Sequence, residues 1–383
     1  MTAAVPAAGP LAGVRVIDMT SVGMGPYATQ ILGDMGAEII KIEAPEGDVF
    51  RASAPAASPG MGAVYLNLNR NKRSVTLNAK DPDDLRRLLR LVDDADVFIS
   101  NVRPRALARI GLDAASLRAR NPRLVYCSAV GFGQDGPYAA QPAFDDIIQA
   151  MSGLADLQGR NNGAPAYINT IMADKVAGLT LAYAIPMALY EREKSGLGQA
   201  IEVPMFETLV SFTLIEHLGG RTFEPPRGGM GYSRVLSPER RPYRTRDGFL
   251  ALLPYTDAQW RRFFTLAERA DLAADPRYAS ARTRAGNFDA LYRDLADIVA
   301  LRSTEDWLAL LADADIPHSR VNPPEALFDD PHLAATGFFQ RVEHPTEGTL
   351  TATAIPVRFS RTPGSIRRLA PRQDADRDML DPD

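Results

Sequence analysis

The stretch Leu11–Glu43, LAGVRVIDMTSVGMGPYATQILGDMGAEIIKIE, decides how the chain folds. It opens on a short apolar strand, Val14–Met19, and turns through Thr20–Gly25. A helix over Pro26–Met35 follows, and then a second strand, Glu38–Glu43. Proline suits the helix start, where the first-turn N–H groups lack partners in any case. Strand, helix and strand in about 30 residues make the βαβ unit of a parallel sheet covered on both faces. The rhythm continues outward. Ser74–Leu77, Asp96–Ser100 and Arg123–Ser128 read as strands, and Asp81–Asp93 as an Arg-rich amphipathic helix. Asp146–Gly153 and Lys175–Glu193 read as further helices. Ala200–Val203 is a late strand that leads into a helix ending at His217.

The composition changes near Gly219. Gly219–Arg244 is rich in Gly, Pro and Arg without periodicity, and reads as a linker or functional loop. A strand at Gly248–Pro254 and helices around Ala258–Ala270, Asn287–Leu301 and Thr304–Ala314 then form a second unit of about 100 residues. Past Pro324 the chain is extended again, and Pro363–Asp383 is a polar tail. The length, 383 residues, suits two domains.

With 45% hydrophobic and 23% charged residues, the chain is neither disordered nor fibrous. A net charge of −4 gives no ground for nucleic-acid binding. The longest apolar run, Ala177–Tyr190, is too short to span a bilayer and is read as a buried helix interrupted at Pro186. Met1–Pro10 lacks the basic and apolar regions of a signal peptide, so a cytoplasmic location is expected. A single cysteine, Cys127, excludes an intrachain disulfide and cysteine zinc sites, and the four histidines are scattered, so no metal site is expected. Cys127 itself lies in an apolar strand and is read as a small buried hydrophobe.

Three features could carry chemistry. Gly23-Met24-Gly25-Pro26-Tyr27-Ala28 fits a dinucleotide fingerprint, with Glu43 about 20 residues on. Several residues separate the strand core from the first glycine, however, and Pro26 removes a donor. A glycine-rich turn, or contact with another nucleotide-bearing ligand, reads better. Asp174 and the pair Asp145-Asp146 each precede a helix. Each is either a helix cap or, for Asp174, a nucleophile able to form a mixed anhydride with an activated acyl group. Last, only five of the 43 basic residues are lysines, and Lys41, Lys72 and Lys80 precede residue 81. Asn69-Arg70-Asn71-Lys72-Arg73-Ser74 with Lys80 is either a solvated turn or a phosphate site, to which Arg103, Arg105 and Arg109 would add.

Strings along nearly the whole chain resemble class III coenzyme A-transferases, the family of formyl-CoA transferase and α-methylacyl-CoA racemase. They include Leu11-Ala12-Gly13-Val14-Arg15-Val16-Ile17-Asp18, Gly36-Ala37-Glu38-Ile39-Ile40-Lys41-Ile42-Glu43 and Asn69-Arg70-Asn71-Lys72-Arg73-Ser74. Gly131-Phe132-Gly133-Gln134-Asp135-Gly136-Pro137, Gln149-Ala150-Met151-Ser152-Gly153 and Ser195-Gly196-Leu197-Gly198-Gln199 follow in order.

The resemblance implies an α/β fold with a Rossmann-like large domain, residues 1–220 completed by 325–383. It adds a smaller α/β domain at 226–324 and an interlinked homodimer. It implies Asp174 as the catalytic carboxylate. Gly23, Met24, Leu77, Asn78 and Lys80 would line the coenzyme A site, together with Asn101, Val102, Arg103, Arg109 and Asp145; Arg73 is a further candidate. Coenzyme A and its thioesters enter as substrates beside a small carboxylic acid, with no tightly bound cofactor.

Racemases of the family carry a His where this chain has Phe144, and racemisation needs two acid/base groups, so transfer is favoured. The alternatives are an acyl-CoA racemase, a NAD-binding dehydrogenase and a non-enzymatic CoA-binding role. The family's Gly-Glu-His run near the end is replaced by Ala370-Pro371-Arg372-Gln373-Asp374-Ala375-Asp376. Gly228-Gly229-Met230-Gly231 reads as a mobile cover against water.

Overall fold

The computed structural model describes residues 9–160 and 163–380. Chain contacts divide it into two units. The larger holds 1–155, 167–213 and 332–383, and the smaller 156–166 and 214–331. Of the boundaries nearest 220 and 325, the first falls within the helix that ends at His217 and the second after Pro331.

The larger unit is built on six parallel strands: β1 (Arg15–Met19), β2 (Glu38–Glu43), β3 (Lys72–Thr76), β4 (Val97–Ser100), β5 (Val125–Val130) and β6 (Ala200–Pro204). Their order, β3-β2-β1-β4-β5-β6, is the doubly wound order of the Rossmann fold. Its helices before the smaller unit are α1 (Met24–Asp34), α2 (Ala63–Leu68), α3 (Pro82–Asp93), α4 (Pro104–Ala108), α5 (Ala114–Arg120), α6 (Asp145–Met151), α7 (Leu154–Gly159), α8 (Met172–Ser195) and α9 (Met205–His217). The division between the units falls within α7 and α9.

The central strands are apolar because both faces are covered. One face packs Val16, Ile39, Val97 and Cys127 against α1 and α8, through Ala28, Leu32, Ala177 and Leu181. The other packs Ile17, Ile40, Phe98 and Tyr126 with Leu88, Leu117 and Leu380. Helix α8 runs through Pro186 without a break and ends at Gly196, whose φ of 80° supplies the left-handed cap.

Strand β3 starts two residues before the expected Ser74, because Lys72 lies inside the sheet and is fully buried. The tail covers this edge strand. Asp376 Oδ2 accepts from the Ser74 N–H at 3.0 Å, and Asp374 Oδ1 from the Thr76 N–H at 2.8 Å. These two aspartates lie in the run that departs from the family's pattern.

The smaller unit has its own antiparallel sheet, β7 (Tyr243–Arg244), β8 (Phe249–Leu252) and β9 (His318–Arg320). Its core gathers Trp260, Phe263, Phe264, Leu291 and Trp307. Here Gly228–Gly231 is tied back to the end of α9: Gly220 N–H donates to the Gly229 carbonyl at 2.8 Å, and Gly231 N–H to the His217 carbonyl at 2.7 Å. The last pair of strands, β10 (Phe339–His344) and β11 (Gly348–Thr353), forms a hairpin in the larger unit.

Candidate active site

In a doubly wound sheet the strand order reverses between β1 and β4, and the crevice beyond their carboxyl ends is where ligands bind. The loops that follow these two strands are joined there. The Asn101 side chain donates to the Ser21 carbonyl at 2.8 Å and accepts from the Ser21 N–H at 3.1 Å. Asn101 therefore acts as a brace between the loops.

The β1 loop leads to the first turn of α1, whose N-cap Gly23 offers no side chain to the orphan N–H groups. Asp174 fills that place: its carboxylate accepts from the Met24 N–H. A Cβ built on Gly23 would stand 2.4 Å from Asp174 Oδ2, so only glycine leaves room for this approach. Asp174 is the third residue of α8, after the cap position Ile171, so it does not cap its own helix.

The acidic pair before α6 differs from the expectation too. Phe144 holds the cap position, and Asp145 is turned inward, only 7% exposed. Its Oδ1 accepts from the Asp174 N–H at 3.0 Å, so α6 supplies the acceptor that the first turn of α8 lacks. A buried carboxylate spent on that N–H is not placed to meet an anionic ligand. Burial, and then the charge of Asp145, push the Asp174 carboxyl up from 3.8 to about 6 against the Met24 N–H.

Beneath the loop lies a set of buried ions. Lys72 Nζ donates to Asp18 Oδ2 at 3.2 Å, the Pro26 carbonyl at 3.0 Å and Asn69 Oδ1 at 2.9 Å. Lys41 Nζ donates to Asp48 Oδ2 at 2.8 Å and the Thr20 carbonyl at 2.7 Å. Burial raises the Asp18 carboxyl, but Lys72, Lys41 and the Thr20 and Thr29 hydroxyls outweigh it and hold it below its ordinary value. Burial pushes the Lys72 ammonium down to about 8 despite Asp18. The reading of Asn69–Ser74 as a solvated turn or phosphate site is thus corrected. Lys72 is fully buried, and Arg70 is held by Asp34 at 2.7 Å. Above these ions Val22 stands at φ 70°, a left-handed conformation that β-branched residues avoid, with its N–H on Asp48 Oδ1.

Other residues separate into two groups. Leu77, Asn78 and Lys80 follow β3, and Val102 and Arg103 follow β4, at the same carboxyl end of the sheet as Gly23 and Met24. Arg109 closes α4 just beyond. Lys80, Arg103, Arg105 and Arg109 are exposed. The Leu77 side chain is buried in the core. Arg73 is not brought to this group. It meets Glu38 at 3.4 Å and Asp376 at 3.3 Å, and lines a cavity of about 1410 Å³ with Arg15 and Arg368, near the opposite ends of the strands.

Glu43, which the dinucleotide reading needs for a ribose, is bound instead to Arg51 at 2.7 Å and the Ser74 hydroxyl at 2.6 Å. Burial pushes the Cys127 thiol up to about 12, which suits an inert core residue. Among the described residues no group of three or more His, Cys, Asp and Glu could hold a metal ion. No helix among them is long and apolar enough to cross a membrane.

The site thus sets a buried carboxylate at the first turns of α1 and α8, at the switch point of a Rossmann-like sheet. The model of CoA-transferase family III matches residues 11–377, and the chain belongs to this family and is a CoA-transferase. It is 34% identical over 374 residues to the succinate–glutarate CoA-transferase of Agrobacterium fabrum, covering 95% of this chain and 92% of that one. It is 30% identical over 366 residues to the human succinyl-CoA:glutarate CoA-transferase, covering 94% and 83%. Among solved structures it superposes on a CAIB/BAIF family protein from Brucella suis with a TM-score of 0.82 at 31% identity, covering 97% and 98%. It superposes on Rv3272 from M. tuberculosis with 0.84 at 28% identity, covering 98% and 100%.

Proposed function

We propose that Asp174 is the nucleophile of a transfer of coenzyme A from an acyl-CoA thioester to a carboxylic acid. The observation that carries this reading is the Asp174 carboxylate, 8% exposed, set against Gly23 and the start of α1. Its oxygen adds to the thioester carbonyl and the CoA thiolate leaves, giving an acyl-aspartyl anhydride. The thiolate then attacks the aspartyl carbonyl, releasing the donor acid and forming an aspartyl-CoA thioester. The acceptor carboxylate attacks that thioester and expels the thiolate, giving a second anhydride. Attack of the thiolate on the acceptor's acyl carbon yields the new acyl-CoA and restores Asp174. One thioester is consumed and one made, so no ATP is spent.

The exposed cations Lys80, Arg103 and Arg109 suit the phosphates of coenzyme A, with Asn78, Asn101 and Val102 and the backbone of Gly23, Met24 and Leu77 lining its path. Arg73 and Asp145 are left out of that group by their ion pairs and burial. Phe144, 66% exposed and without a titratable group, argues against the racemase alternative. The relatives' names direct the substrate search to succinyl-CoA and short dicarboxylic acids. The exposed Tyr183, Met187 and Tyr190 on α8 support assembly into a homodimer, to be checked by sedimentation.

The test is Asp174→Ala with an acyl-CoA and acid cross-screen read by mass spectrometry. Wild type should transfer and yield an aspartyl hydroxamate with hydroxylamine, and the variant neither. Full transfer by the variant would sink the nucleophile.

A further inference from the structure

Gln149, from the string Gln149-Ala150-Met151-Ser152-Gly153, touches nothing that reacts, yet it is 1% exposed and uses its whole amide. It lies one helical turn after Asp145 on α6, so the two share a face. Its Nε2 donates to Asp145 Oδ2 at 2.6 Å and to the Thr170 carbonyl at 3.3 Å. Its Oε1 accepts from the Ile168 N–H at 3.0 Å. The first bond fixes Asp145, whose other oxygen holds the Asp174 N–H. The other two hold the segment that enters α8.

We propose that Gln149 is a positioning residue of the transfer reaction: it pins Asp145 under the first turn of α8 and anchors the approach to that helix, and so fixes where the Asp174 carboxylate stands. This rests on Asp174 being the nucleophile. A donor on a carboxylate favours its charged form, and that charge is the second cause, after burial, of the raised proton affinity of Asp174.

The rest of the surroundings leave Asp145 in that role. Helix α1 offers the Met24 N–H, and its charged Asp34 is bound to Arg70 and Asn71. Strand β5 carries the buried Cys127 and Tyr126, and Tyr126 packs on the other face of the sheet. Glu202 of β6 accepts from the Gln134 N–H. Asp146 of α6 is exposed, and Lys175 of α8 bonds the Thr170 hydroxyl at 2.6 Å.

The experiment uses Gln149→Met, close in shape but without donor or acceptor, with succinyl-CoA and glutarate or whichever pair the cross-screen returns. kcat should fall by about 10²-fold while KM for the acyl-CoA stays within about threefold, since the loss is of alignment and not of binding. Without its donor, Asp145 turns away from the first turn of α8, so the acid limb of the kcat/KM profile should move down. Asp145→Asn should move it equally, and the double variant no further. Gln149→Glu, which adds a carboxylate beside Asp145, should move the limb up, and carries the test if Gln149→Met does not fold.

An unchanged kcat, a fall with the limb unmoved, or additive shifts would overturn the proposal. Asp174→Ala run alongside separates the two readings: if it is inactive while Gln149→Met behaves as wild type, the nucleophile stands and the positioning role falls.

Discussion

Asp174 must be ionised to attack, and its surroundings resist ionisation. Activity of the free enzyme should therefore rise with pH through about 6, read as the acid limb of kcat/KM. The same shift acts on stability. A carboxyl that holds its proton more tightly when folded stabilises the fold fully only below its ordinary value of 3.8, and that contribution fades as pH rises to about 6. Asp174→Asn, which keeps the acceptor for the Met24 N–H without the charge, should gain up to about 3 kcal/mol above pH 7 and little near pH 4, by urea denaturation. Gly23→Ala should act on both stability and rate. The added methyl would meet the Cγ of the buried Asp174 at 2.8 Å as well as its oxygen, so the carboxylate must leave the Met24 N–H: the melting temperature should fall and kcat should drop by about 10²-fold.

Among the elements, those decided by apolar runs were legible in sequence: β2 over Glu38–Glu43, β4 within Asp96–Ser100 and the long helix before Gly196. Where charges replace apolar residues, the pattern misleads. Lys41 and Lys72 suggest a surface, but each is fully buried on an aspartate, and β3 consequently starts earlier than it reads. Asp174 stood out by its place before an apolar helix. Gly23 and Asp145 stood out too, but not as its partners, because they are brought to it by packing of α1 and α6 on α8, which no local spacing encodes. The Asp145–Gln149 spacing of one helical turn was the available signal. Lys72→Met should cost about 3–5 kcal/mol in chemical denaturation, because it leaves Asp18 buried without its nearest cation. A cost below about 1 kcal/mol would mean that Lys41 alone neutralises Asp18.

In the molecule as a whole, the larger unit is completed only by the far end of the chain. Asp376 closes the Ser74 N–H from 302 residues away, and Leu380 packs in the same cluster as Ile17. Asp376→Ala should lower stability by about 2–3 kcal/mol by chemical denaturation, the worth of a charged hydrogen bond and its ion pair with Arg368. Removing residues 374–383 should bare the β3 edge and raise light scattering on heating. The tail also sets a clock during synthesis. Strand β6 is complete at Pro204, but the residues that cover β3 leave the ribosome only ~170 residues later, roughly 10–30 s at ordinary translation rates. Through that interval the nascent sheet carries an open edge, and a chaperone or a neighbouring nascent chain competes for it until the two aspartates arrive.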